Sequence, residues 1–122
     1  MDSFGIGGPP PRTKVEDILA DDVAFVWSNG KAATGKATCL DWRAKALEEV
    51  RANFKAFALR YDIRSVRLFA DTAVVLGKLD ISGTQKEGDQ PFRREVWETL
   101  IFVKTPASWR LIEEHSTPAT AQ

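Results

Sequence analysis

The chain has 122 residues, 43% of them hydrophobic and 28% charged, and its 17 basic and 17 acidic side chains give a formal net charge of zero. This is the composition of one folded domain with its own core; it excludes intrinsic disorder and the basic footprint that nucleic acid or an anionic membrane would need. The lone Cys39 excludes an internal disulfide, no apolar run reaches membrane-spanning length, and the expected location is the cytoplasm.

Residues 1–14, with glycines and three consecutive prolines, read as a flexible leader, and residues 15–122 as the domain. Val15 to Ala20 is a short helix candidate. Asp22 to Asn29 reads as a strand with Val23, Phe25 and Trp27 on one face, and Asn29-Gly30 is a turn signal. Thr38 to Leu59 reads as one long helix whose stripe is Leu40, Leu47, Val50, Phe54 and Phe57, with Thr38 as its N-cap.

Arg60 to Phe69 reads as a strand in which the apolar spacing slips near Arg64-Ser65, the mark of a bulge. A turn at 70–72 leads to a strand over Ala73 to Ser82, and a polar loop from Gly83 to Gln90 leads to the last two strands. Those strands, Phe92 to Ser116, are joined by the turn Thr105-Pro106-Ala107-Ser108, and both faces of the first carry large apolar residues. Helices first and a meander afterwards predict an α+β fold, a curved antiparallel sheet wrapped around the long helix.

That order, with ADDVAFVWSNG at 20–30, VRLFADTAVVLGKLDIS at 66–82 and WETLIFVK…SWRLIEEHS at 97–116, resembles the nuclear transport factor two-like superfamily, the cone-shaped α+β barrels that include SnoaL-like proteins. The last segment is also similar to the association domain of calmodulin-dependent protein kinases. The resemblance implies the barrel fold but leaves function open among isomerases, dehydratases, cyclases, epoxide hydrolases and assembly modules. It also implies a long first helix over the cone's mouth. Here only the leader precedes Val15, leaving an open mouth, a covering partner or a truncated reading frame as alternatives.

Superfamily pockets lie between the helices and the concave sheet face. By that alignment the inward residues are Phe25, Trp27, Leu76, Lys78, Asp80, Val96, Glu98, Leu100, Phe102, Ile112, Glu114 and Ser116. The turn pairs Leu100 with Glu114 and Glu98 with Ser116, so Glu98 and Glu114 become diagonal neighbours about 7–8 Å apart. Carboxylates crowded on an apolar wall have raised pKa values, and a nearby Lys opposes that. The candidate catalytic set is therefore Lys78, Asp80, Glu98 and Glu114, with Phe25, Trp27, Leu76, Leu100, Phe102 and Ile112 as ligand-binding residues. The similarity to limonene epoxide hydrolase implies Glu114 as base, Asp80 as acid and Lys78 as the orienting charge. Lys in place of Arg, and Phe25 and Trp27 in place of polar side chains, depart from that pattern. In the competing reading the four charges form ordinary cross-strand ion pairs.

His115 alternates out of phase with Glu114 and should face away from the cone; Tyr61 and Trp42 read as packing residues, and Cys39 as inert. Neither metal-ligand spacing nor a phosphate loop is present, so no cofactor is expected. Two functions fit these residues. One is a small cofactor-independent enzyme acting on an apolar small molecule. The other is a non-catalytic binding or assembly module, a homodimer joined through Trp97, Ile101, Val103 and Trp109 with neighbouring Leu111.

Overall fold

The structure is a computed structural model that describes residues 15–119, and the leader lies outside them. Its elements are α1 (Val15–Ile18), β1 (Leu19–Val26), β2 (Ala32–Thr34), α2 (Lys36–Asn53), β3 (Phe54–Phe69), β4 (Thr72–Gln85), β5 (Pro91–Lys104) and β6 (Trp109–Pro118). The six strands form one sheet in the order β2-β1-β6-β5-β4-β3. Every pairing is antiparallel except that of β1 with β6. The α+β class agrees with expectation, but the sheet is open, with β2 and β3 as edges, and is not a closed barrel.

β1 and β2 form the hairpin signalled by Asn29-Gly30. Gly30 has φ of 85°, and the Asn29 Oδ1 accepts from the Lys31 N–H at 3.0 Å. Strand β2 itself was not anticipated.

The long helix differs from expectation at both ends. It begins after Gly35, whose φ of 94° and ψ of 139° suit glycine alone, and no side chain caps it; Thr38 already lies inside the helix. It ends at Asn53, where Phe54 turns extended (φ −121°, ψ 137°). Phe54 and Phe57 therefore belong to β3, where the rings of Phe57 and Phe92 pack edge-on against Phe54 at 5.2 and 5.3 Å. The aromatic and β-branched residues from Phe54 onward suit a pleated surface, and pairing with β4 as far as Gln85 outweighs the helical spacing.

Helix α2 packs on β1 and β2. Beneath it lies the core: Leu19, Val23, Phe25, Ala33, Cys39, Leu100 and Leu111. Cys39 is fully buried and its thiol faces the carbonyls of Val23 and Ala33, so burial raises its pKa and it is inert, as expected. The anticipated bulge is present between Ile63 and Ser65. Beyond it, Val66 and Leu68 pair with Val75 and Ala73 and stay largely exposed on the inner face of edge strand β3.

A methyl group at Gly35 would meet no atom within 4 Å, so its conformation alone decides the outcome of substitution. Gly35→Ala is expected to lower unfolding stability by about 1–3 kcal/mol in urea titration.

Candidate active site

Side chains alternate across a strand, so register decides which residues share a wall. The turn between β5 and β6 is tied by the Thr105 N–H and hydroxyl, which both donate to the Ser108 carbonyl at 2.8 and 2.7 Å. It sets the expected pairs: Leu100 opposite Glu114 and Glu98 opposite Ser116. Glu98 and Glu114 therefore stand on the inner face with Val96, Leu100 and Phe102.

Glu114 also lies beside Phe25 in the parallel β1–β6 pairing. Trp27, just past the end of β1, donates its indole N–H to the Glu114 Oε2 at 3.1 Å. The Trp27 ring is itself held between Phe25 (6.1 Å, stacked) and Trp42 of α2 (5.2 Å). Burial raises the Glu114 pKa, opposed by the Trp27 hydrogen bond and by the positive charge of Arg43 on α2. Glu98 has no such help: burial, and secondarily the charge of Glu114, push its pKa to about 8. The two carboxyl groups thus differ in their surroundings.

A fourth inner-face residue was read only as packing. Tyr61 on β3 reaches across β4 at Gly77, where an added Cβ would lie 2.3 Å from the ring's Cζ and from the hydroxyl. Gly77 is directly opposite Glu98 in the ladder, so the phenol tip lies over β4 toward that carboxyl. Its Oη is buried and has no hydrogen-bond partner, and burial with the charges of Glu98 and Glu114 pushes its pKa to about 12. A lone glycine inside the strand pattern AVVLGKLDIS was the available sign of such a close approach.

Other expected members of the site lie elsewhere. Leu76, Lys78 and Asp80 pair with Thr99, Trp97 and Glu95, which places all three on the outer face, away from Glu98 and Glu114. There Lys78 lies 3.5 Å from Glu95 and over the Trp97 ring, and Asp80 accepts from Arg93 at 3.0 Å. For these two charges the ion-pair reading holds, and the Lys78-x-Asp80 likeness to limonene epoxide hydrolase lapses.

A second correction comes from a bulge in β6. Ile101 pairs with Glu113 but Phe102 with Leu111, so Ile112 is the extra residue. Ile112 leaves the pocket wall and lines a depression with Val103 and Arg110. Leu111 becomes a fully buried inner residue, and Trp109 pairs with Lys104 instead of joining the outer face of Trp97, Ile101 and Val103. His115, opposite Thr99, faces outward as expected and lies 2.7 Å from Glu113. Phe25 and Leu100 are buried core members supporting the wall, with Phe102 packed on them.

The described residues contain no group of three or more side chains suited to a metal ion, and none of their helices is long and apolar enough to cross a membrane.

The family model for the SnoaL-like domain matches residues 13–121, and the chain belongs to that family. Solved structures agree on the nuclear transport factor two-like fold. A ketosteroid isomerase-like protein from Erwinia carotovora atroseptica is 18% identical over 87% of this chain and 79% of its own, with a TM-score of 0.69. A candidate dehydratase of the NTF2-like family from Streptomyces avermitilis is 23% identical over 82% and 69%, at 0.67. An NTF2-like protein of unknown function in nutrient uptake from Rhodospirillum rubrum is 28% identical over 87% and 83%, at 0.62. No curated protein matches the chain.

The raised Glu98 pKa fixes a sign for stability. The folded state holds this proton up to about pH 8, whereas the unfolded chain releases it in the ordinary carboxylate range. Between those limits the unfolded state binds fewer protons, so this group's contribution falls as pH rises. Glu98→Gln, which stays neutral, is expected to raise Tm relative to the parent at pH 9 by about 4 °C or more, the shift 1 kcal/mol produces in a domain near this size, and by far less at pH 4. Paired thermal melts at the two pH values check this.

Proposed function

We propose that the protein catalyses cofactor-independent proton transfer on an apolar small molecule carrying an oxygen. Glu114 acts as the base and Glu98 as the acid. The observation that carries this reading is the unequal treatment of two carboxyl groups on one wall: Glu114 is steadied as an anion by Trp27 and Arg43, whereas Glu98 keeps its proton at neutral pH.

With a ketone, Glu114 takes a proton from the carbon beside the carbonyl while Glu98 gives its proton to the carbonyl oxygen, forming an enol; return of the enol O–H proton to Glu98 and of the first proton to another carbon completes an isomerisation. With a β-hydroxy carbonyl compound, Glu114 takes the same α-proton and Glu98 protonates the β-hydroxyl, which leaves as water as the carbon–carbon double bond forms. Family membership, and fold likeness to an isomerase-like protein and a candidate dehydratase, support both classes. Epoxide-hydrolase-like chemistry loses its support, because Lys78 and Asp80 lie on the other face.

The test is deuterium exchange at the α-carbon of cyclic ketones and enones, followed by NMR in heavy water at neutral pH. The parent protein is expected to accelerate exchange, and Glu114→Gln to lose about 10²–10⁴-fold of that rate with the fold intact by circular dichroism. Exchange that survives Glu114→Gln sinks the base assignment. A variant that is more heat-stable and binds every ligand as before points to the non-catalytic binding module.

A second reading, compatible with the first, concerns the outer face. Val74 and Leu76 on β4 join Trp97, Ile101 and Val103 on β5 in one apolar area, by the pairs Val74–Ile101 and Thr72–Val103. We propose that two copies of the chain associate through it. Ile101→Arg is expected to convert a dimer to a monomer in light scattering at micromolar concentration; a parent protein that is already monomeric there overturns the reading.

A further inference from the structure

We infer that the Tyr61 hydroxyl is the hydrogen-bond donor that receives Glu98 as it changes from acid to carboxylate, making Tyr61 the positioning residue for that group. The inference rests on the reading of Glu98 as the acid. It begins from Gly77, which lies opposite Glu98 on β5 and diagonal to Tyr61 on β3, and where a side chain would block the ring. In that gap the tip of the phenol lies over β4, yet its Oη ends without a partner. An unmade buried hydrogen bond is unfavourable, so such a group needs an explanation.

The charge state of Glu98 supplies one. A protonated carboxyl offers one O–H donor and still accepts at its carbonyl oxygen, but a carboxylate accepts more strongly. Each element around Glu98 narrows the choice of donor. From β6 the facing titratable group is Glu114, which is acidic and already engaged by the Trp27 N–H. From α2, Arg43 acts on Glu114. Strand β4 presents Gly77, and its neighbour Lys78 faces the other way, toward Glu95 and Trp97. The hydroxyls of Ser116, opposite Glu98 on β6, and of Tyr61 on β3 are the remaining donors, and of the two it is the Tyr61 Oη that is buried without a partner. When Glu98 passes its proton to the ligand oxygen, the phenol keeps its own proton and shares it with the new carboxylate. The hydrogen bond forms as the negative charge forms, so it favours the product of the proton transfer over the resting acid.

The experiment titrates the carboxyl carbons of ¹³C-labelled glutamate by NMR in the ligand-free protein, with Glu98→Gln and Glu114→Gln assigning the signals. Tyr61→Phe keeps the ring over Gly77 and removes only the donor. Its expected effect is to raise the Glu98 midpoint by about one pH unit, a tenfold loss of acidity, with Glu114 little changed. A Glu98 midpoint that stays put or falls in folded Tyr61→Phe overturns the inference. Should that variant not fold, the phenolate absorbance decides, because Tyr61 is the chain's only tyrosine. Glu98→Gln is expected to lower the phenol midpoint from about 12, and an unchanged midpoint overturns the inference. No substrate enters either titration, so loss of the catalytic reading in the exchange assay leaves this result separately readable.

Discussion

Two carboxyl groups share an apolar wall here because a four-residue turn fixes how β5 meets β6. Thr105 closes that turn on Ser108, and the ladder that follows puts Glu114 beside Leu100 and Glu98 beside Ser116. A slip of one residue would send one carboxyl to the outer face and end their mutual influence. Held together in partly dehydrated surroundings, they cannot both ionise easily, and the inequality between them comes from what surrounds each. Trp27 and Arg43 stand on the Glu114 side, brought there by the end of β1 and the face of α2, while the partners opposite Glu98 in the ladder are Gly77 and Ser116. The unequal surroundings of the two carboxyl groups are thus a product of strand register combined with helix placement.

The same placement decides which part of the inner face is covered. Helix α2 covers the inner face over β1 and β2 and seals the core around Leu19, Val23 and Leu111. Toward β3 that cover ends, and Ile63, Val66 and Leu68 remain exposed. Glu98 and Tyr61 fall at the boundary, where the wall is dry enough to raise both pKa values and still next to an uncovered stretch. A carboxyl farther along β3 would keep its ordinary acidity.

The hairpin, its pairing, the bulge at 63–65 and the outward-facing His115 were all legible in the sequence, because turn chemistry and a slip in apolar spacing are local signals. So was the SnoaL-like family, carried by patterns spread along most of the chain. The errors share one cause. Where both faces of a strand are apolar, alternation no longer says which face is which. On β4 the parity depends on the path through residues 83–90, which placed Leu76, Lys78 and Asp80 outward. On β6 the bulge at Ile112 leaves no mark in WRLIEEHS, and it exchanged the roles of Trp109, Leu111 and Ile112. The helix was overextended for a related reason: Phe54 and Phe57 continue a helical spacing by coincidence, and only pairing with β4 shows them to be strand.

Gly77 is where fold and chemistry constrain each other most tightly. Glycine weakens a strand interior, having no side chain to pack and more backbone freedom to lose. β4 carries that weakness in the middle of the sheet, with long strands paired on both sides. The space it opens is filled by the ring of Tyr61, so packing alone would accept Phe there equally well. Phe would also avoid burying a hydroxyl without a partner, which Tyr61 does. A sequence shaped only for stability would therefore keep the ring and discard the oxygen. Retaining it makes physical sense if the hydroxyl has a partner in another state of the molecule, and the group opposite Gly77 that gains acceptor strength on losing a proton is Glu98.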